Sequence, residues 1–464
     1  MNTHKTEHKM DYDDFIKSKK HSEINHGITP LFMPSYLFDF QEYVTDYAIR
    51  KGRCAVFLDT GLGKTIIELV VAKNFNKSTN KPVLIITPLA VAFQFIKEAE
   101  RFGVGSIEYS KNGSYTSDIV VCNYERLDRF NSEEFDCVIL DESSILKNFK
   151  GAIKTHVTSF LRKVKYRFLF TATPSPNDFV ELGTSSEALG YMGYTDMLTR
   201  FFTNNEDTIS PMNIGTQWIL KGHAKKDFFK WVSGWSISMR KPSDLGFDDA
   251  KHILPDMITN HHSVKNDANM VLDGQIMLFN IVAKRLTEVR EEQRLTIEKR
   301  CEKAVEVSSH HKTSVYWCNY NRESELIANL DSDVHEIRGA MSLDEKEDIL
   351  LSFFSGDIQK LVTKPKMTAF GLNWQHCNHT VFFPTFSYEQ YYQAIRRFWR
   401  FGQTKPVTVD LVYSDGQKRV LDGLMAKAEK ANNLFTMLNS SINSKYDVLS
   451  KDFNNQIIKP GFIR

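Results

Sequence analysis

Short apolar runs rich in β-branched residues recur between residues 54 and 173: CAVFLD, VLIIT, DIVVCN, CVILD and RFLFTAT. Helix-like or polar stretches separate them, and that alternation predicts a mostly parallel sheet with helices on both faces. A second series starts near residue 314 with SVYWCN, DVHEIRG, IQKLVTK, HTVFFPT and VTVDLVY. The expected fold class is therefore α/β, with two lobes. Residues 186–305 differ in character: an irregular stretch containing glycines and aromatics precedes residues 270–306, where helix formers, charge pairs at helical spacing and the absence of proline predict one long helix. The resulting division is an N-terminal arm over 1–30, a first lobe over 31–185, a mostly helical insertion or linker over 186–305, a second lobe over 306–425, and a C-terminal helix and tail over 426–464.

Composition narrows the class. A chain of 464 residues with 42% hydrophobic content has ample material for ordinary cores. Its longest apolar stretch, Val83 to Ile96, is too short for a bilayer and contains Pro88, and the first residues lack the apolar core of a signal peptide. Neither secretion nor membrane insertion is expected. Six cysteines without a CxxC spacing fit a reducing cytoplasm. HCNH at 376–379 and the pairs His261-His262 and His310-His311 offer metal-ligating atoms, but none has a matching second half, so zinc is not expected from spacing. A net charge of +2 excludes a globally basic coat and confines any nucleic-acid contact to a local groove. Trp218, Trp231 and Trp235 alternate with lysines between 217 and 247; this is either a stacking track or the buried face of a helix, and the spacing of Trp231 and Trp235 favours the second.

The chemistry concentrates in two places. FLDTGLGKTIIELV (57–70) reads as a strand, a glycine-bearing turn and a helix start, which would hold anionic phosphate on backbone N–H groups, with Lys64 reaching the β- and γ-phosphates and Thr65 ligating magnesium. The strict phosphate-loop pattern wants glycine where this chain has Leu58. In ILDESSILKN (139–148), an apolar strand ends on Asp141 and Glu142 side by side. Two acids in a polar turn would be the ordinary reading of this pair alone. Beside a phosphate loop, the first acid would hold magnesium through water and the second would orient and deprotonate the attacking water.

In its motif order the chain resembles the superfamily-two nucleic-acid motors of the Swi/Snf-like group, particularly short phage and prophage members, from about residue 30 to 425. The resemblance implies two RecA-like lobes, with ATP and Mg2+ as cofactors. It carries over an adenine-reading role to Gln41 and a nucleotide-loop role to Gly61 and Gly63. Contact with the nucleic-acid backbone is implied around Thr87 and Pro88 and again around Asn123 and Tyr124. Coupling of hydrolysis to movement is implied for Ser144, for Thr171 and Thr173 in LFTATPSPND, and for Gln393; Gly371 in FGLNW belongs to a second-lobe strand-end motif. In QAIRRFWRFGQ, Arg397 and Arg400 fall where the family presents arginines to the γ-phosphate. Ser144 stands where related boxes usually carry histidine or aspartate, which shortens its reach.

These features imply an ATP hydrolase that translocates on or remodels DNA, duplex favoured and RNA less so, in a bacterial cell such as a phage-infected host, alongside replication or recombination proteins. A strand-separating helicase on forked or single-stranded DNA is the nearest alternative, although no wedge is identifiable. A non-catalytic ATP-gated clamp is a further one, weighed against by Lys64, Glu142, Arg397 and Arg400. No nuclease pattern lies outside the lobes.

Overall fold

The computed structural model describes residues 25–147, 151–204, 218–249, 252–266, 271–272, 275–276, 286–368 and 374–453. In the first lobe the apolar runs form β1 (Arg53–Leu58), β2 (Val83–Thr87), β3 (Ile107–Tyr109), β4 (Ile119–Asn123), β5 (Cys137–Leu140) and β6 (Tyr166–Thr171). With β7 (Ser236–Met239) they make a seven-stranded parallel sheet in the order β3-β4-β2-β5-β6-β1-β7. Residues of β2, β4, β5 and β6 are buried throughout, as expected of strands covered on both faces. Alternate residues feed two cores. Cys54, Val56 and Leu58 pack with α1 (Asp39–Lys51), α2 (Lys64–Thr79) and α3 (Leu89–Phe102). Ala55 and Phe57 face α4 (Ala152–Lys163), α5 (Leu182–Leu189) and α6 (Lys225–Ser233).

The second lobe contains β8 (Met257–Val264), β9 (Ser314–Trp317), β10 (Val334–Glu336), β11 (Lys360–Thr363), β12 (His379–Phe382) and β13 (Val407–Ser414), all parallel in the order β8-β13-β12-β9-β11-β10. Its two faces pack separately, Val315 and Trp317 on one side and Tyr316 with Val362 and Val381 on the other. Two RecA-like α/β lobes are thus observed.

The segment 186–305 contributes more than helices, since β7 completes the first sheet and β8 the edge of the second. The long helix expected over 270–306 is shorter and divided. Val271–Leu272 and Gln275–Ile276 pair as antiparallel strands, and α7 (Leu286–Leu295) is separated from α8 (Ile297–Ser308) at Thr296. There the threonine hydroxyl donates to the Glu292 carbonyl at 2.7 Å, a back-bond that bends helices. Residues 277–285 lie outside the described residues, as do most of the arm and the tail after 453.

Trp231 and Trp235 belong to the first lobe's core, with ring centroids 5.5 Å apart and Trp235 almost fully buried. The stacking-track reading of this pair therefore gives way to the packing one. Helix α10 (Lys418–Phe453) leaves the second lobe and returns to the first, where Leu434, Phe435 and Leu438 enter the core beside α6. Asn439 accepts from Ser238 of β7 at 2.6 Å, and Arg240 donates to Asn432 at 2.9 Å while covering the Phe435 ring. No helix among the described residues is long and apolar enough to cross a membrane.

Candidate active site

Between β1 and α2 the chain turns through Gly61 and Gly63, at φ of 87° and 79°. A Cβ at position 63 would meet Gln41 Nε2 at 2.3 Å, and one at position 61 would meet the Phe401 amide at 2.8 Å. Both the left-handed backbone and the close approach require glycine. Gln41 is buried in α1 and fixes the turn by donating to the Leu62 carbonyl at 3.1 Å while accepting from the Phe38 amide at 3.1 Å. Lys64 opens α2, and its Nζ donates to the carbonyls of Leu58 at 3.0 Å and Asp59 at 3.3 Å. Burial lowers the Lys64 pKa, and the nearby Glu142, Asp141 and Glu68 carboxylates oppose that shift. Thr65 follows in the first turn of α2.

The acid pair ends β5 beside this turn. Burial first, then Glu142, push the Asp141 carboxyl up to about 6, against a 2.8 Å hydrogen bond from Thr87 and the Lys64 charge. Glu142 has φ of 51°, a left-handed conformation costly for a side chain of this size. Two hydroxyls hold its Oε1: Ser144 at 2.8 Å and Thr171 at 2.9 Å, the latter also accepting from the Thr173 amide at 3.0 Å. Ser144, short as it is, reaches the neighbouring acid. Thr87 is fully buried, and the Tyr124 hydroxyl donates to the carbonyls of Asp141 and Glu142, so both of these nucleic-acid candidates face the acid pair. The Thr87 hydroxyl is satisfied by the Asp141 carboxylate and that of Tyr124 by main-chain carbonyls, so neither points outward. Asn123 is also buried, bonded to Tyr109 and Glu125, whereas Pro88 caps α3 at a partly exposed position.

The second lobe supplies arginines through α9 (Tyr388–Ile395) and the turn that follows. Phe398 anchors that turn in the core, and Trp399 Nε1 donates to the Pro255 carbonyl at 2.6 Å. Arg397 is buried; desolvation and the adjacent Arg400 push its pKa down to about 9, and Glu142 of the first lobe opposes this. Arg400 is lowered to about 10 by desolvation, with Glu98 opposing, and its Cβ lies 3.6 Å from the position of a Cβ on Gly61. Lysine, acid pair and both arginines therefore surround one interlobe cleft. Gln393 is buried on α9. Gly371 lies outside the described residues.

Several residues escaped sequence reasoning. Asp59 accepts from Tyr392 and pairs with Arg396, both of the second lobe, and Lys147 pairs with Glu389. Such partners meet only across the interface, and no local spacing announces them. Glu68 is fully buried with neither carboxylate oxygen hydrogen-bonded among the described residues, and burial and Asp141 raise its pKa well above the carboxylate range. A signal existed for it: an acid inside TIIELVVA, one helical turn after Lys64.

Glu68, Asp141 and Glu142 crowd around one lysine, which offsets a single charge. Excess acidity beside a phosphate-binding turn is the charge that a divalent cation carried with an anionic phosphate chain would offset. Fold and site thus define a two-lobe RecA-like protein with a glycine-bearing turn, an acid pair and arginines at the interlobe cleft. Residues 38–182 match the family model of the DEAD/DEAH box helicase and residues 296–402 that of the helicase conserved C-terminal domain. The chain belongs to the helicases that these two models describe.

Among its relatives, the SWI/SNF-related matrix-associated actin-dependent regulator of chromatin subfamily A-like protein 1 of Xenopus tropicalis is 28% identical over 33% of this chain and 17% of its own length. The DNA annealing helicase and endonuclease ZRANB3 of Mus musculus is 28% identical over 33% of this chain and 16% of its own. These matches span about a sixth of each relative. A solved structure described as the Sulfolobus solfataricus SWI2/SNF2 ATPase core in complex with dsDNA is 17% identical, covering 92% of this chain and 98% of that one at a TM-score of 0.41.

Proposed function

We propose that the protein hydrolyses ATP in the interlobe cleft and uses the cycle to translocate on, or remodel, duplex DNA. The observation that carries this reading is the convergence of Lys64, Glu142, Arg397 and Arg400 on one cleft, two from each lobe. Glycines 61 and 63 leave backbone N–H groups free to cradle phosphate, Lys64 would exchange its carbonyl partners for phosphate oxygens, and Gln41 stands beside the turn to read the base. Magnesium, held by Thr65 and Asp141, would neutralise charge on the phosphates. Glu142, aimed by Ser144 and Thr171, accepts the proton of the attacking water. Arg397 and Arg400 stabilise the transferring phosphoryl group, so turnover depends on the second lobe being in place.

Backbone contacts made through a local groove imply little sequence preference and strong salt dependence. Relatives described as annealing helicases support a motor that keeps strands paired over one that parts them. The likeness to short phage members supports action in a bacterial cell, beside replication or recombination proteins. ATP turnover measured with duplex, single-stranded and forked DNA and with RNA tests the reading, together with triplex displacement against strand displacement. Stimulation by duplex with triplex displacement is expected. Strand displacement without it would favour the unwinding alternative, and turnover indifferent to every nucleic acid would sink the motor.

A further inference from the structure

Three histidine-bearing segments that look unrelated in sequence meet in the second lobe. His311 lies in the turn joining α8 to β9, His379 opens β12, and His262 sits on β8. Asp410, in the middle of β13, stands between them. His379 Nε2 is 2.8 Å from Asp410 Oδ2, and His262 Nε2 is 3.0 Å from Asp410 Oδ1. The His311 ring lies flat on that of His379, with centroids 3.6 Å apart and planes at 5°. Ligating atoms of His311, His379 and Asp410 all fall within 4.8 Å of one another. Strand register explains the convergence. Asn260 and Val381 flank Asp410 in the parallel ladder, so residues two away from each, His262 and His379, share the face that α8 covers.

A hydrogen-bonded buried acid accounts for part of this. Asp410 also accepts from Asn260 at 2.8 Å, and His379 Nδ1 meets Ser314 Oγ at 2.8 Å. It does not account for His311, whose ring forms no hydrogen bond among the described residues yet is stacked on another imidazole. Burial and His379 lower the His311 pKa, which keeps a lone pair available. Burial also works against an ionised Asp410, but hydrogen bonds from His379, His262 and Asn260 outweigh it and hold the carboxyl down to about 2. Around a tetrahedral ion with bonds of about 2.0–2.1 Å, ligand atoms stand roughly 3.3 Å apart, so the 2.8 Å between His379 and Asp410 must open slightly and the His311 ring must turn out of its stack to aim a lone pair at the same ion. Ser314 and Asn260 then serve as outer partners: the serine fixes the His379 proton on Nδ1 and leaves Nε2 for the metal, and the amide orients Asp410.

We propose that His311, His379 and Asp410 form a structural site for a zinc-class divalent ion, pinning the α8–β9 turn to the middle of the second lobe's sheet, with His262 orienting the carboxylate of Asp410 from its other oxygen. His379 opens β12, whereas the arginine-bearing segment follows that strand's end, so the site is separate from the ATP cleft.

The full chain, stripped by chelator, reloaded with Zn2+ and dialysed against zinc-free buffer, should retain about one zinc per molecule by elemental analysis. Its unfolding midpoint should rise by several degrees, and Co2+ in place of Zn2+ should give the visible absorption of a tetrahedral site. His311→Ala should keep the parent's circular dichroism and bind zinc more than about tenfold more weakly, and His262→Gln should weaken binding in the same direction. Should His311→Ala fail to fold, His262→Gln decides alone. Equal zinc retention by parent and folded variants would mark the ion as adventitious and overturn the proposal. No retention by the folded parent would overturn it as well, leaving a hydrogen-bonded acid.

Discussion

The two lobes share one architecture but divide their polar residues differently. In the first, the lysine and the acid pair gather in two short turns at strand ends, Leu58 to Lys64 and Asp141 to Ser144, although Arg167 is buried within β6. In the second, charge is carried inside the element pattern, by arginines packed among aromatics after α9 and by Asp410 within a buried strand. A first-lobe side chain acts through its own turn, whereas a second-lobe arginine acts only through the partner lobe. The first lobe should therefore govern whether nucleotide is held, and the second whether it is turned over.

Lys64→Ala should have the largest effect, abolishing both nucleotide binding and measurable hydrolysis; retained affinity by fluorescent-nucleotide titration would contradict the assignment of grip to the first lobe. Replacing Arg397 and Arg400 together should cut kcat by about 10³-fold or more while affinity changes little. A matching loss of binding would erase the contrast between lobes. Glu142→Gln should keep nucleotide and reduce turnover by about 10²–10⁴-fold, as loss of a general base does; phosphate release at the parental rate would remove that role. The smallest effect is expected from Asp59→Asn, which weakens the bond to Arg396 and Tyr392 across the interface: nucleotide affinity within a few-fold of the parent, with a lower DNA-stimulated rate. An unchanged stimulated rate would show that this contact carries no coupling.

How far the sequence could be read follows the same division. The first lobe's loop and acid pair are contiguous stretches whose backbone demands, a glycine turn and a strand end, are visible locally. The helix break at Thr296 was hidden because a single side-chain back-bond, and no proline or glycine, produces it. Strands β7 and β8 were missed in a segment dominated by helical and irregular sequence, since an edge position is conferred by the sheet it joins. Arg396 looked equivalent to its neighbours, and only the interface separates its partner, Asp59, from theirs. Asp410 drew no notice inside VTVDLVY, although a lone acid in a buried strand must have strong partners.

Helix α10 gives the cycle a mechanical limit. Three large apolar side chains are seated in the opposite lobe, each contributing about 1.5–3 kcal/mol on burial, so that the helix ties the two halves together on that side. If the proposed function holds, the halves would rock about a pivot on that side, and each ATP would advance the protein along its track only by the short arc that such a pivot permits.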